Sequence, residues 1–158
     1  MVDSPGAQAP IATTAIVTDG TSAKASAMSP WRRIAAAFAL VPSVTIAVIA
    51  VGAWAPGLST IYDAVTPAER DCLAALGVRA ELAGVFIGEG GRPVATPLDS
   101  RMIVTPGPAL ERIPFVLAAA YGVAKSPAVH AAIRGGLVHG LVTHTSLARS
   151  LLSLAGQP

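Results

Sequence analysis

The residues best suited to chemistry in this chain lie in the short segment Gly122-Val123-Ala124-Lys125-Ser126. The segment follows an apolar run that is typical of a buried strand, and it precedes a helix start signal, Ser126 followed by Pro127. In an open parallel sheet, ligands bind beyond the carboxyl ends of the strands, where helix N-termini present N–H groups and a partial positive charge. Lys125 adds a full positive charge, so a phosphate is the expected ligand. The alternative is an ordinary turn with a solvated lysine.

Other reactive residues predict neither a metal site nor a catalytic centre. His130, His139 and His144 lack the spacing of metal ligands, because the first lies on a predicted helix and the second on a predicted strand. The glycines after Glu89 are not followed by the Lys-Ser/Thr of a nucleotide loop, so they predict a hairpin turn. No Ser-His-Asp order or paired acids stand out. We therefore expect no enzyme, no metal and no cofactor.

The composition argues against nucleic-acid binding and for a reducing compartment. Charged residues make up 13% of the chain and the net charge is +2, too little for the electrostatic footprint of a DNA-binding surface. The single cysteine, Cys72, excludes an internal disulfide, which suits the cytoplasm. Its surroundings predict a buried thiol that acts as a small hydrophobe.

A charge-free run over residues 34–55, preceded by Arg32-Arg33, leaves two interpretations open. Hydropathy alone favours a single-pass membrane anchor. However, Pro42-Ser43 divides the run into an Ala-rich half and a half rich in Val and Ile that ends at Gly52. This division favours a helix over residues 31–40 and a strand over residues 44–51, buried on both faces.

Helix and strand signals alternate along the rest of the chain. Strands are predicted over residues 11–17, 80–87, 102–104, 115–119 and 137–142, with turns at 19–20 and 88–91. Helices are predicted over residues 21–28 and 145–154, and a single helical turn within 106–112. Two more helices have clear start and stop signals. One runs from the capping box Thr66–Glu69 to Gly77, and the other from the cap Ser126 to Gly135-Gly136. Residues 1–10 predict a flexible tail. The pattern indicates an α/β fold with a mostly parallel sheet.

Three segments in order resemble a known family. They read VTIAVIAVGAWAPGLSTIYDAVTPAER, then LGVRAELAGVFIGEGGRPVATPLDSRMIV, then ERIPFVLAAAYGVAKSPAVHAAIRGGLVHGLVTHTSLARSLL. Together they resemble the C-terminal sugar-binding domain of the SorC/DeoR-type bacterial transcriptional regulators. The resemblance covers about residues 29–155, and 9–28 more weakly. It implies a Rossmann-like three-layer sandwich, with residues 11–158 as a partial domain that lacks the family's helix-turn-helix and its first βα unit.

The resemblance also implies a function and a site. Domains of this family bind phosphorylated sugars, and binding alters oligomerisation and operator binding. The effector-binding residues that it implies here are Gly52, Ser59, Thr60, Arg101, Gly122, Lys125 and His144. The implied partners are a phosphorylated sugar and a second copy or a full-length homologue, with no membrane and no direct contact of this chain with DNA.

Three positions depart from the family pattern. Ala50 stands for the first Gly of a Gly-x-Gly turn, Tyr121 for the first Gly before Lys125, and His144 for the acid after Leu-Val-Thr. The departures leave an alternative function open, in which the domain has lost its ligand and serves only to pair with a homologue.

Overall fold

The computed structural model of the chain describes residues 44–102, 104–105 and 107–156. The expected tail at 1–10, strand at 11–17, turn at 19–20 and helices at 21–28 and 31–40 lie outside these residues. Within them the elements follow in the order β1 (Ile46–Ala53), α1 (Thr60–Ala64), α2 (Pro67–Ala75), β2 (Val78–Leu82), β3 (Val85–Gly88), α3 (Gly107–Leu110), β4 (Phe115–Ala119), a 3₁₀ turn (Val123–Lys125), α4 (Ser126–Arg134), β5 (Gly140–Val142) and α5 (Thr145–Ala155).

The five strands form one sheet in the order β3-β2-β1-β4-β5. Strands β1, β4 and β5 pair in parallel, whereas β2 is antiparallel to both of its neighbours, β1 and β3. All strands but β2 therefore run in the same direction, which confirms the α/β class and the mostly parallel sheet. The carboxyl ends of β1, β4 and β5 consequently meet at one edge.

Helices cover the two faces of the sheet in different halves. Helices α4 and α5 pack on one face, where Val129 and Leu147 meet Val116 and Val51, all fully buried. Helix α2 lies on the opposite face, over the antiparallel half, where Leu73 packs against Val78, Phe86 and Leu98. The layers above and below the sheet agree with the predicted three-layer sandwich.

The strand predicted over residues 44–51 is confirmed, with its bounds at Ile46–Ala53. β1 occupies the middle of the sheet, with alternate residues Ala47, Ile49 and Val51 buried beneath the helices. The expectation that the strand is buried on both faces is wrong, because Ile46 and Val48 on the other face are 55% and 42% exposed. Because residues 46–53 of the charge-free run form a strand in a sheet, residues 34–55 are not one continuous helix, and the membrane-anchor interpretation is wrong. No helix in the described part of the chain has the length and apolarity to cross a bilayer.

The predicted strand over residues 80–87 is wrong, because this stretch is a hairpin. Strands β2 and β3 are joined by Ala83 and Gly84, whose φ angles are 51° and 83°. Positive φ at both positions is the mark of a tight two-residue hairpin turn. Alanine is not a typical turn residue, so the apolar run was predicted to be one uninterrupted strand. The expected strand at 102–104 does not form at Met102 or Val104.

Other boundaries also differ from the predictions. Strand β5 begins at Gly140 and not at residue 137, since Leu137 N–H still bonds to the carbonyl of Ala132 at the end of α4. Cys72 is exposed and not buried, because the nine-residue helix α2 turns only Leu73 fully into the core. The capping box of α2, in which Thr66 and Glu69 bond reciprocally, is as predicted.

The turn after β3 is in close contact with the end of α4. A Cβ atom on Gly135 would lie 2.0 Å from the carbonyl oxygen of Gly91, and one on Gly91 would lie 2.3 Å from the carbonyl oxygen of Ala131. Only glycine at both positions permits two backbones to approach this closely. The contact fixes the hairpin of β2 and β3 against the C-terminal end of α4.

Candidate functional site

The carboxyl end of β1 is built around a glycine. Gly52 pairs with Glu81 of β2, and a Cβ atom on Gly52 would lie 2.2 Å from Glu81 Oε1. The absent side chain therefore makes room for the Glu81 carboxylate to lie across the end of β1. This is a chemical reason for glycine at one of the predicted site positions.

Glu81 is a partly buried acid whose carboxylate takes part in two long hydrogen bonds. Its Oε1 accepts from the hydroxyl of Ser59 at 3.5 Å, and its Oε2 accepts from the N–H of Gly84 at 3.4 Å. Burial raises the pKa of Glu81 above its usual value, although the Gly84 N–H, the charge of Lys125 and the Ser59 hydroxyl each act to lower it. The site thus contains an acid with an increased tendency to hold a proton.

Ser59 is held in place by its position at the N-cap of α1. It has extended backbone dihedrals, and its hydroxyl accepts the N–H of Tyr62 at 3.2 Å. The loop that leads to it is closed by a bond from Ala53 N–H to the carbonyl of Leu58 and by one from Gly57 N–H to Asp63 Oδ1, at 3.1 and 3.0 Å. Ser59 is buried, whereas the next predicted site residue, Thr60, is exposed.

Lys125 links the beginning of α4 to the end of β1. Its Nζ donates to the carbonyl oxygen of Val51 at 2.8 Å. The 3₁₀ turn that carries it starts after Gly122, whose φ of 95° favours glycine. Helical structure therefore begins at Val123. The prediction that Ser126 caps the helix is wrong, because its Oγ donates to the carbonyl of Val123.

Tyr121 and His144 stack on each other at the same edge. The register pairs Ala119 with Val142, so the residues two positions further along β4 and β5 come level on one side of the sheet. The ring centroids are 4.5 Å apart and the planes are inclined by 28°. Within the described residues, Thr143 Oγ1 and His144 Nδ1 are buried and have no hydrogen-bond partner.

Arg101 has a partner on α2. Its guanidinium forms an ion pair with Glu69, which also accepts the backbone N–H of Thr66 at 2.9 Å in the capping box. The Thr66 N–H and the Arg101 guanidinium lower the pKa of Glu69 to about 2. The structure thus brings Gly52, Ser59 and Lys125 together, and it places Arg101 beside Glu69.

The other histidines do not join this group. His130 lies on α4, and His139 accepts the N–H of Val116 through Nδ1 at 3.1 Å, next to the amino end of β4. In the ranges that the structure describes, no three His, Cys, Asp or Glu side chains are arranged to hold a metal ion.

Sequence reasoning missed Glu81 and the Tyr121–His144 pair. A signal for Glu81 was present, since it is the one acid inside the apolar run of residues 80–87. The stacked pair was not visible from sequence alone, because it depends on the register between β4 and β5, which no local pattern encodes.

Comparisons with known proteins agree with this architecture. A family model described as "Putative sugar-binding domain" matches residues 6–153. The transcriptional regulator LsrR of Enterobacter sp. (strain 638) is 29% identical over 93 residues, which are 58% of this chain and 29% of that regulator. The chain therefore corresponds to only part of the length of this relative.

Solved structures show the same fold. A transcriptional regulator from Streptococcus pneumoniae TIGR4 superposes with a TM-score of 0.69 at 24% identity, over 80% of this chain and 48% of that one. The full-length sorbitol operon regulator SorC from Klebsiella pneumoniae has a TM-score of 0.69 at 20% identity, over 77% of this chain and 40% of that one. Because the family match spans most of its length, the chain belongs to the sugar-binding domain family, and its structural neighbours include regulators of the DeoR and SorC types.

Proposed function

We propose that this domain binds a phosphorylated sugar as an effector and senses it without transforming it. The observation that carries the proposal is the convergence of Lys125, Glu81 and Ser59 at the carboxyl end of β1. A sugar phosphate presents one anionic group and several hydroxyls, and these three side chains match both chemistries. Membership of a sugar-binding domain family supports the same ligand class.

Each side chain has a distinct role in the proposal. The Lys125 ammonium has three N–H donors. One of them bonds to the Val51 carbonyl, so two remain for a phosphate. Glu81 serves the sugar hydroxyls as an acceptor, and Ser59, whose single O–H donates to Glu81 Oε1, holds that carboxylate in place. Because burial raises the pKa of Glu81, the carboxyl is more readily kept neutral beside a phosphate than an exposed acid would be. Gly122, Thr60, Arg101 and His144 remain predicted contacts.

The proposal extends to the setting of the domain. We expect residues 11–158 to act as part of a cytoplasmic effector domain that forms an oligomer with itself or with a full-length homologue. Signal transfer would pass through that partner and not through direct contact of this chain with DNA.

Isothermal titration with a panel of sugar phosphates tests the proposal. The best ligand should lose about ten- to a hundredfold in affinity in Lys125→Ala, since a hydrogen bond to a charged group contributes about 1.5–3 kcal/mol. Arg134→Ala is the matched control, because it removes the same charge from the exposed far end of α4. Lys125→Met, which keeps the apolar stem, should behave like Lys125→Ala. Equal affinities in all variants would contradict the proposal.

A second candidate function is an interaction module that binds no ligand. It is favoured by exposed apolar residues on the face of the sheet opposite α4 and α5, namely Ile46, Val48, Phe115 and Val142. Under this candidate, no sugar phosphate raises the melting temperature, whereas sedimentation shows association that weakens in Val48→Asp. Ligand-dependent stabilisation follows from the first candidate by mass action and argues against the second.

A further inference from the structure

We infer that Tyr121 and His144 form an aromatic platform in this site that receives the C–H face of a cyclic sugar phosphate and makes the site selective for ring forms over open-chain forms. The inference rests on the proposed function, because it assigns a ligand class to the same site.

The platform lies at the edge where ligands of parallel sheets bind. Tyr121 follows β4 and His144 follows β5, both at the carboxyl ends of parallel strands. Lys125 stands four positions after Tyr121, across the turn at Gly122, and its amine is at the end of the neighbouring strand β1. A ligand held by Lys125 through its phosphate would therefore have the tyrosine beside its sugar moiety.

The tyrosine presents one free aromatic face. It is 79% exposed, although tyrosine is on average a residue of intermediate burial. The imidazole of His144 covers one side at a centroid distance of 4.5 Å, so the exposure belongs to the other side and the edges. The backbone is fixed on both sides, by the bond from Ala120 N–H to the Val142 carbonyl at 3.1 Å and by the turn at Gly122.

A fixed aromatic face with polar groups nearby suits a sugar ring. Small-molecule sites combine apolar and aromatic walls with a few polar groups that orient the ligand. A closed sugar ring has a face of C–H groups that packs flat on an aromatic ring, whereas the open-chain alditol obtained by reducing the sugar has no such rigid face. The platform should therefore distinguish a cyclic sugar phosphate from its open-chain alditol phosphate.

Isothermal titration of the full chain with two matched pairs of ligands tests the inference. The pairs are glucose 6-phosphate with glucitol 6-phosphate, and ribose 5-phosphate with ribitol 5-phosphate. The wild type should bind at least one ring form more tightly than its open-chain counterpart. Tyr121→Ala should lower the affinity for that ring form by about two- to tenfold, the range expected for one aromatic stacking contact, and leave the open-chain affinity unchanged.

Two further variants complete the design. Tyr121→Phe keeps the ring and should retain ring-form selectivity. Phe115→Ala removes an aromatic side chain from the same sheet face at the opposite end of β4, so it should leave both affinities unchanged. Far-UV circular dichroism and the melting temperature establish that each variant is folded.

The outcomes separate this inference from the function beneath it. If ligands bind and depend on Lys125, but Tyr121→Ala reduces both members of a pair equally or neither, the platform is wrong and the proposed function stands. If none of the four ligands binds the wild type and no sugar phosphate of the wider panel does, both are wrong.

Discussion

Replacing Glu81 by glutamine should change how the stability of the domain depends on pH. Glutamine has nearly the same shape but no charge. In the folded chain, burial raises the pKa of Glu81, and this effect outweighs the lowering by the Gly84 N–H, Lys125 and Ser59. The two hydrogen bonds are long, at 3.4 and 3.5 Å, which explains why they do not compensate for burial.

The sign of the effect follows from proton linkage. A folded-state pKa above the unfolded value means that the native state binds the proton more tightly. The contribution of Glu81 to stability is therefore complete below pH 4.5, the unfolded value, and is lost as the pH rises through the folded pKa. For one proton the slope cannot exceed about 1.4 kcal/mol per pH unit. Glutamine does not titrate, so Glu81→Gln should gain in stability relative to the wild type as the pH increases.

Urea denaturation between about pH 4 and pH 8 measures this difference. Subtracting the two curves removes every group that titrates alike in both proteins, and a constant offset reflects only how well the amide fits. Glu89→Gln is the matched control, since it makes the same substitution at an exposed position in the turn after β3. Parallel curves for Glu81→Gln and the wild type would refute the reasoning, because they would show that the carboxylate is effectively solvated.

Three other predictions follow from the described contacts. Glu69→Gln should reduce the loss of stability in acid. The pKa of Glu69 is lowered to about 2, so its stabilising contribution is present above pH 4.5 and is lost as the pH falls toward 2. Identical acid denaturation of the variant and the wild type would contradict this. Gly135→Ala should destabilise the fold by about 3 kcal/mol, the upper part of the usual range for overpacking, whereas Gly90→Ala, with open space around it, should change thermal stability little. Cys72 should react stoichiometrically with a thiol reagent without denaturant, and protection until unfolding would show that its exposure is wrong.

The parts of the fold that local chemistry determines were predictable from the sequence. The β-branched run at residues 44–51 became the central strand, and the capping box at Thr66 formed as expected. The hairpin at Ala83 and the exposure of Cys72 were not predictable in the same way. Ala83 takes a positive φ that its residue type rarely adopts, and the direction of Cys72 depends on which side of a short helix meets the sheet.

The candidate site also has a part that was expected before the structure was known and a part that was not. The family resemblance implied Gly52, Ser59 and Lys125 as site residues, and the structure places them near one another. Gly52 lies at the end of the predicted strand β1 and Lys125 just before the predicted helix α4, whereas Ser59 begins α1, a helix that the sequence did not predict. Glu81 joins them from β2, a strand that the sequence did not separate from β3. Its contribution depends on strand pairing across 29 positions, from Gly52 to Glu81, and such pairing leaves no local pattern. Whether these residues bind an effector stays a prediction.

The glycine contact between the β3 turn and α4 means that both ends of α4 are attached to the sheet. Helix α4 has nine residues and is therefore about 13.5 Å long, and it hardly changes length under load. Its first end is attached to β1 through Lys125, and its last end meets Gly91 at Gly135 with no space to spare. From Gly91 the path returns along β3 and β2 to Glu81, beside Lys125. Lys125 therefore lies at one end of a helix whose other end packs against the hairpin of β2 and β3, and this same hairpin carries Glu81.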